Sequence, residues 1–164
     1  MQQLWRMASL VWLVWCASAL AEPPRNYPFV AFDEGLRQAR EQKRPMFLYF
    51  GRFGCAWCDQ MNQETFVDPA LRALMIRHYV LVYVDAESGK RLHLPSGERI
   101  TEADLGVRYK VFASPLFLFL DAEGKELARL PGIHTVQNFF TYDRYVMGEH
   151  YRTQTLVEYL RAQP

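Results

Sequence analysis

Cys55 and Cys58 bracket the sequence Cys55-Ala56-Trp57-Cys58. On a helix, residues i and i+3 share a face, so two sulfurs at this spacing can close a disulfide and reopen it. A bridge over so short a ring adds little as a structural staple, because disulfide stabilisation grows with the loop it closes. The pair is therefore better explained by redox exchange. Gly51-Arg52-Phe53-Gly54 reads as a loop that delivers Cys55 to a helix start. There the unsatisfied amides and the positive end of the helix dipole favour thiolate over thiol. Cys55 is expected to be the exposed, attacking sulfur and Cys58 the buried, resolving one. Trp57 is expected at the surface beside Cys55, as a contact for substrate or as a cover for the helix edge.

Competing uses of two cysteines find less support. A zinc site needs two further ligands, and His78, His93, His134 and His150 show no paired spacing to supply them. Haem attachment needs a histidine after Cys58, where Asp59 stands. No metal and no cofactor is expected beyond the cysteine pair itself.

The elements that must position this pair are legible in the pattern of apolar residues. Phe32 to Gln42 predicts an amphipathic helix, with Asp33 near its start and Pro45 after its end. Met46 to Phe50 is a short apolar run that suits a buried central strand. The helix opened by Cys55 is expected to run to about Thr65, and Asp68-Pro69 to open another that ends near His78. Tyr79 to Val84 predicts a second buried strand. Glu87 to Ile100 turns polar and reads as a surface loop or small hairpin, after which Thr101 caps a helix. Leu116 to Leu120 and Glu126 to Leu130 predict a strand pair joined by the turn Asp121-Ala122-Glu123-Gly124. Thr135 to Ala162 is helical in pattern, with a break near Gly148 or Tyr151. Parallel crossovers come first and an antiparallel hairpin last, which is an α/β order.

The ends and the composition bound the setting. Residues 1–21 carry Arg6, an apolar run and the small-residue ending Ala19-Leu20-Ala21. They read as a secretory leader cleaved after Ala21, taking Cys16 with it, because the run is too short to span a bilayer. Residues 22–164 then form one domain. Of 19 Lys and Arg, Arg6 leaves with the leader, so the remainder balances 18 Asp and Glu. A neutral domain has no dominant positive field for nucleic acid or an anionic membrane. Two cysteines in an exported chain sit where disulfides persist.

With MFLYFG (Met46–Gly51) before Cys55-Ala56-Trp57-Cys58, and ASPLFLFLDAEG (Ala113–Gly124) after it, the chain resembles the secreted thioredoxin-like proteins. Within them it is similar to the SoxW-type branch associated with bacterial sulfur oxidation, a likeness that extends to the tail motif Tyr145–Gly148 with Tyr151 and Tyr159. The resemblance implies a thioredoxin-like fold, a central mixed sheet flanked by helices, with a C-terminal helical extension. It also implies a cis bond before Pro115, beside the cysteines, where the backbone at Ser114 docks a substrate strand. An X-Pro bond tolerates cis far better than any other, and a missing amide suits a strand end. The chain departs from thioredoxin where a buried acid precedes the first cysteine, since Tyr49 stands there, and where its lysine partner becomes Leu81. Gly54 replaces the tryptophan before the first cysteine. The proton of Cys58 then leaves by water, a backbone route or the Tyr49 hydroxyl, although Tyr49 suits a packed core aromatic. Met61 and the aromatics from Phe139 to Tyr159 are read as core.

The expected activity is thiol–disulfide exchange on periplasmic proteins by a monomer, in the reducing direction, because Ala56 and Trp57 add no charge that would favour the thiolate further. A reductant in an oxidising compartment needs electrons from a membrane thiol transporter of the DsbD or CcdA kind, which the resemblance implies. The alternatives are an oxidase or isomerase using the same cysteines, and a redox-inactive binding module. The intact cysteine pair with Pro115 argues against the module.

Overall fold

The computed structural model describes residues 22–163, so the expected leader, Cys16 included, lies outside the described residues. Helix α1 (Phe32–Gln42) precedes strand β1 (Met46–Gly51), which feeds α2 (Ala56–Gln60). That helix widens into a π-helical turn at Met61–Thr65 before α3 (Pro69–His78) and β2 (Val80–Asp85). A hairpin of β3 (Arg91–His93) and β4 (Arg99–Thr101) leads into α4 (Glu102–Arg108). The chain closes with β5 (Leu116–Leu120), β6 (Glu126–Pro131), α5 (Val136–Met147), a 3-10 turn and α6 (Leu156–Arg161). The main sheet has the order β2-β1-β5-β6. β1 pairs parallel with β2 and antiparallel with β5, and β6 returns antiparallel on β5. This is the expected thioredoxin-like α/β architecture, with a C-terminal helical extension that breaks after Gly148.

Side chains of a strand alternate between faces, and both faces of this sheet are covered. Phe47 and Tyr49 of β1 join Phe117 and Phe119 of β5 in a cluster with both cysteines, Met61, Phe66 and Phe139. Met46, Leu48 and Phe50 join Val82, Leu118 and residues of α1 in the other. Phe139, Tyr142, Tyr145 and Tyr159 are buried in the first cluster, as their reading as core required, whereas Tyr151 packs half-buried against it and Phe140 is only half-buried, outside both clusters.

Local chemistry explains most element ends. Asp68 accepts a hydrogen bond from the Leu71 amide at 2.7 Å with Pro69 in the first turn. Thr101 and Asp104 form a reciprocal capping box, as do Thr135 and Asn138. At the other end of α3, the Arg44 guanidinium donates to the carbonyls of Ile76, Arg77 and Tyr79. Helix α1 begins as expected, with Asp33 in its first turn. Ala31 is its N-cap and offers no side-chain bond, while Asp33 accepts from the His93 amide at 2.9 Å and ties the β3–β4 hairpin to α1. That hairpin is more than a surface loop, since Leu92 and Leu94 are buried in the second cluster.

Gly35 shows how closely α1 approaches the sheet. A Cβ placed there would run into Val82 Cγ2. Helix propensity favours Ala over Gly by about 1 kcal/mol in a helix interior. The contact with β2 should outweigh that, so Gly35→Ala is expected to destabilise the fold by about 1–3 kcal/mol. Val82→Ala in the same background should recover part of the loss. Urea denaturation of the two single variants and the double variant checks this, and a stabilised Gly35→Ala protein would contradict it.

Candidate active site

The site is built where β1 runs out. Gly51 ends the strand, the positive φ of Gly54 turns the chain, and Cys55 becomes the N-cap of α2 in an extended conformation. Cys55 and Cys58 form a disulfide, with their Cα atoms 5.2 Å apart. The Cys58 amide points back at Cys55 Sγ, 3.1 Å away. On reduction that amide is a donor already aimed at the sulfur, which favours the thiolate.

The second side of the site is the loop before β5. The Ser114–Pro115 peptide is cis. Pro115 is buried, and the Ser114 hydroxyl donates toward Cys55 Sγ at 3.3 Å. Pro115 has no amide to give, and its carbonyl accepts from the Gly132 amide at 2.9 Å, so the cis turn is held against the end of β6. Of the residues singled out in the sequence, Cys55, Cys58 and Ser114 thus meet within hydrogen-bond distance. Trp57 stands on the rim, 62 % exposed. Phe53 and Phe112 share that rim at 57 % and 94 % exposed. The sequence reading passed over both. Their signal was the presence of a large apolar side chain in a loop next to a functional residue.

One expectation needs correcting. Cys55 is as buried as Cys58, at 4 % against 5 % exposed. As N-cap, Cys55 turns its sulfur inward onto the Cys58 amide and lies under the Ser114 hydroxyl. In the disulfide state, exposure does not separate the two sulfurs.

Behind the disulfide the polar design is spare. Tyr49 is fully buried, and its hydroxyl donates to Asn62 Oδ1 at 3.4 Å. Burial first, then the charges at Tyr83 and Asp59, push its pKa far above that of an ordinary tyrosine. The ring is thus neutral across the working range. Leu81 is buried in the same cluster. Met61 is core, as read, but its sulfur also accepts from the His134 amide at 3.3 Å, while the Thr65 hydroxyl donates to the His134 carbonyl at 2.9 Å. The π-helical turn after the cysteines is therefore clamped to the loop that follows β6. Among the described residues no group of His, Cys, Asp and Glu is placed to hold a metal ion. No described helix is long and apolar enough to cross a membrane.

Four likenesses to known proteins bear on this geometry. A family described as thioredoxin-like domain matches residues 32–146. The disulfide bond reductase DsbH of Chlamydia pneumoniae is 30% identical over 109 residues, covering 64% of this chain and 63% of that protein. The thiol:disulfide interchange protein DsbD of Ralstonia nicotianae is 27% identical over 117 residues, covering 71% of this chain and 18% of that protein. The match thus spans less than two thirds of the first relative and a small part of the second. Among solved structures, a thioredoxin-fold protein from Helicobacter pylori superposes with a TM-score of 0.64 at 21% identity, over 79% of this chain and 89% of that one. This likeness shows the fold.

The clamp carries a pH dependence. Burial lowers the pKa of His134, partly opposed by the carbonyls of Pro131 and Leu130, and the Tyr142 hydroxyl lies 3.0 Å from its Nδ1. The folded ring resists a proton that the unfolded chain accepts below about pH 6.5, so the unfolded state binds more protons there and stability falls with falling pH. Urea midpoints measured from pH 8 to pH 5 should decline less steeply for His134→Asn than for the unmodified protein. Parallel profiles would remove His134 as a source of acid sensitivity.

Proposed function

The chain belongs to the thioredoxin-like domain family, and from that premise we propose that it is a thiol–disulfide oxidoreductase that reduces protein disulfides through Cys55 and Cys58. The observation that carries this reading is the juxtaposition of the Cys55–Cys58 disulfide at the head of α2 with Ser114 of the cis-proline loop, 3.3 Å from Cys55 Sγ.

The cycle balances with no cofactor. In the reduced protein, the Cys55 thiolate attacks one sulfur of a substrate disulfide; a mixed disulfide forms and the other substrate sulfur leaves as a thiolate, to be protonated by solvent. Cys58 then gives up its proton and attacks Cys55 Sγ. The Cys55–Cys58 disulfide closes and the second substrate thiolate departs. Two electrons have passed to the substrate, and the oxidised protein needs a dithiol donor to begin again. Ser114 and Pro115 hold the substrate backbone, and Trp57 covers the approach.

The reducing direction is supported by the kinship with a disulfide bond reductase and by the absence of charge at Ala56 and Trp57. The kinship with part of a thiol:disulfide interchange protein supports a membrane thiol transporter of that kind as the dithiol donor. Residues 1–21 serve as a cleaved secretory leader that places the domain in the periplasm. The SoxW-type assignment is supported by the sequence likeness around Met46–Gly51, Cys55–Cys58 and Ala113–Gly124 and by the tail motif Tyr145–Gly148 with Tyr151 and Tyr159.

Two measurements test the reading. A glutathione redox titration should place the Cys55–Cys58 couple near the thioredoxin value of about −270 mV, and a value near about −120 mV would make the protein an oxidant instead. Cys58→Ser removes the exit from the mixed disulfide, so this variant, exposed to a disulfide-containing protein, should accumulate covalent complexes that added thiol releases. A further change of Cys55 to Ser should abolish them. Noncovalent binding with no trapped complex would favour the binding-module alternative.

A further inference from the structure

Beside the cis-proline loop lies a groove of about 670 Å³ that disulfide exchange does not itself require. Its walls are the last residue of α4, Arg108, the loop that follows, with Lys110 and Phe112, and the end of the last sheet strand, with Arg129 and Pro131. Ala113 lines both this groove and the neighbouring hollow that holds Trp57 and Ser114. A chain lying along Ser114 therefore has a continuous path into the groove.

Three features suit the groove to a particular occupant. Phe112 is 94 % exposed and stands between the two hollows. The lining has three cations against the single carboxylate Glu126, in a chain whose formal net charge is only +1. Arg108 is engaged by Glu98 and Arg129 by Glu126, but Lys110 has no ion-pair partner among the described residues. Lastly, the wall is fixed before anything binds. Lys110 is held in the left-handed region at φ 52, the Val111 amide donates to the Gly106 carbonyl at 2.9 Å, and Arg129 donates to the Tyr109 carbonyl at 3.0 Å. A wall whose backbone needs no ordering on binding loses less entropy.

We propose that this groove is a second docking subsite, which takes an extended acidic segment of the substrate protein, its carboxylate at Lys110 and an apolar side chain against Phe112. The assignment rests on the oxidoreductase reading for its meaning, since it names which substrate proteins the site prefers. Apolar contact at Phe112 supplies attraction without sequence preference, and the unpaired cation supplies the selection, because a basic segment would meet like charge at Lys110.

The test uses the unmodified oxidised protein and two synthetic peptides that contain no cysteine, matched in length and apolar residues, one bearing glutamates and the other lysines. Binding is followed by amide chemical shifts. The acidic peptide should bind about threefold to fivefold more tightly, the scale of one exposed charge contact, with shifts centred on residues 108–113 and 129–131. Lys110→Glu should reverse the preference, and Phe112→Ala should weaken both peptides alike. Equal affinities, or shifts that avoid these residues, would overturn the subsite. In a separate arm, the reduced protein is mixed with insulin and the loss of insulin disulfides is followed. Failure there sinks the oxidoreductase reading while the peptide arm still judges the groove, so the two failures are distinguishable.

Discussion

Strand β1 has no solvent face. All six of its residues are buried, held between β2 on one edge and β5 on the other. This constraint governs the site, because Gly51 is the point where the chain leaves that clamp, and the cysteines follow within one short loop. The strand fixes where the loop begins, and the head of α2 fixes where it ends. The register of β5 on β1 then sets the cis-proline loop opposite, since Phe50 pairs with Leu116, the residue after Pro115. A shift of one residue in that register would move every β5 side chain to the wrong face, and with it the approach of Ser114 to Cys55.

The same burial limits what can stand behind the disulfide. Tyr49 lies among Phe66, Phe117 and Tyr83, with ring centroids within 5.8 Å of its own. A carboxylate in that cluster would have to be desolvated without a paired cation, since Leu81 faces the same cluster. A tyrosine meets the packing requirement and asks for one hydrogen-bond partner, which Asn62 supplies. Asn62 in turn donates to the Glu22 carbonyl at 3.1 Å, so the lead-in segment is tied to the strand through this one side chain.

Much of this was legible in the sequence because it depends on local signals. α1 was bounded by apolar spacing and Pro45, α3 by Asp68-Pro69, and β1 and β5 by short apolar runs with turn residues at their ends. The cysteine pair was legible because residue type and spacing together specify the chemistry. What escaped was nonlocal. Asp33 looks like a helix-start residue, yet it binds a hairpin amide far along the chain, and no local pattern encodes that choice. The burial of Cys55 depends on the β5 loop folding over it. The Met61 sulfur as an acceptor for His134, and Phe112 as an exposed rim, likewise arise only when β6 and the α4–β5 loop are brought beside α2.

The replacement of a buried acid by Tyr49 also decides where proton transfer must occur. A hydroxyl whose pKa lies far above neutrality cannot accept the Cys58 proton as a base. The carboxylate whose charge both Tyr49 and Tyr83 feel is Asp59, the residue after Cys58, and it is exposed. Under the exchange mechanism proposed above, the proton of Cys58 then leaves toward solvent, with water as the acceptor in place of a buried side chain. A base in contact with solvent equilibrates with bulk protons while the substrate is docked. A base sealed in the core would have to be recharged between turnovers through the same cluster that excludes water. The gain is that no carboxylate has to be stabilised among the rings that surround Tyr49.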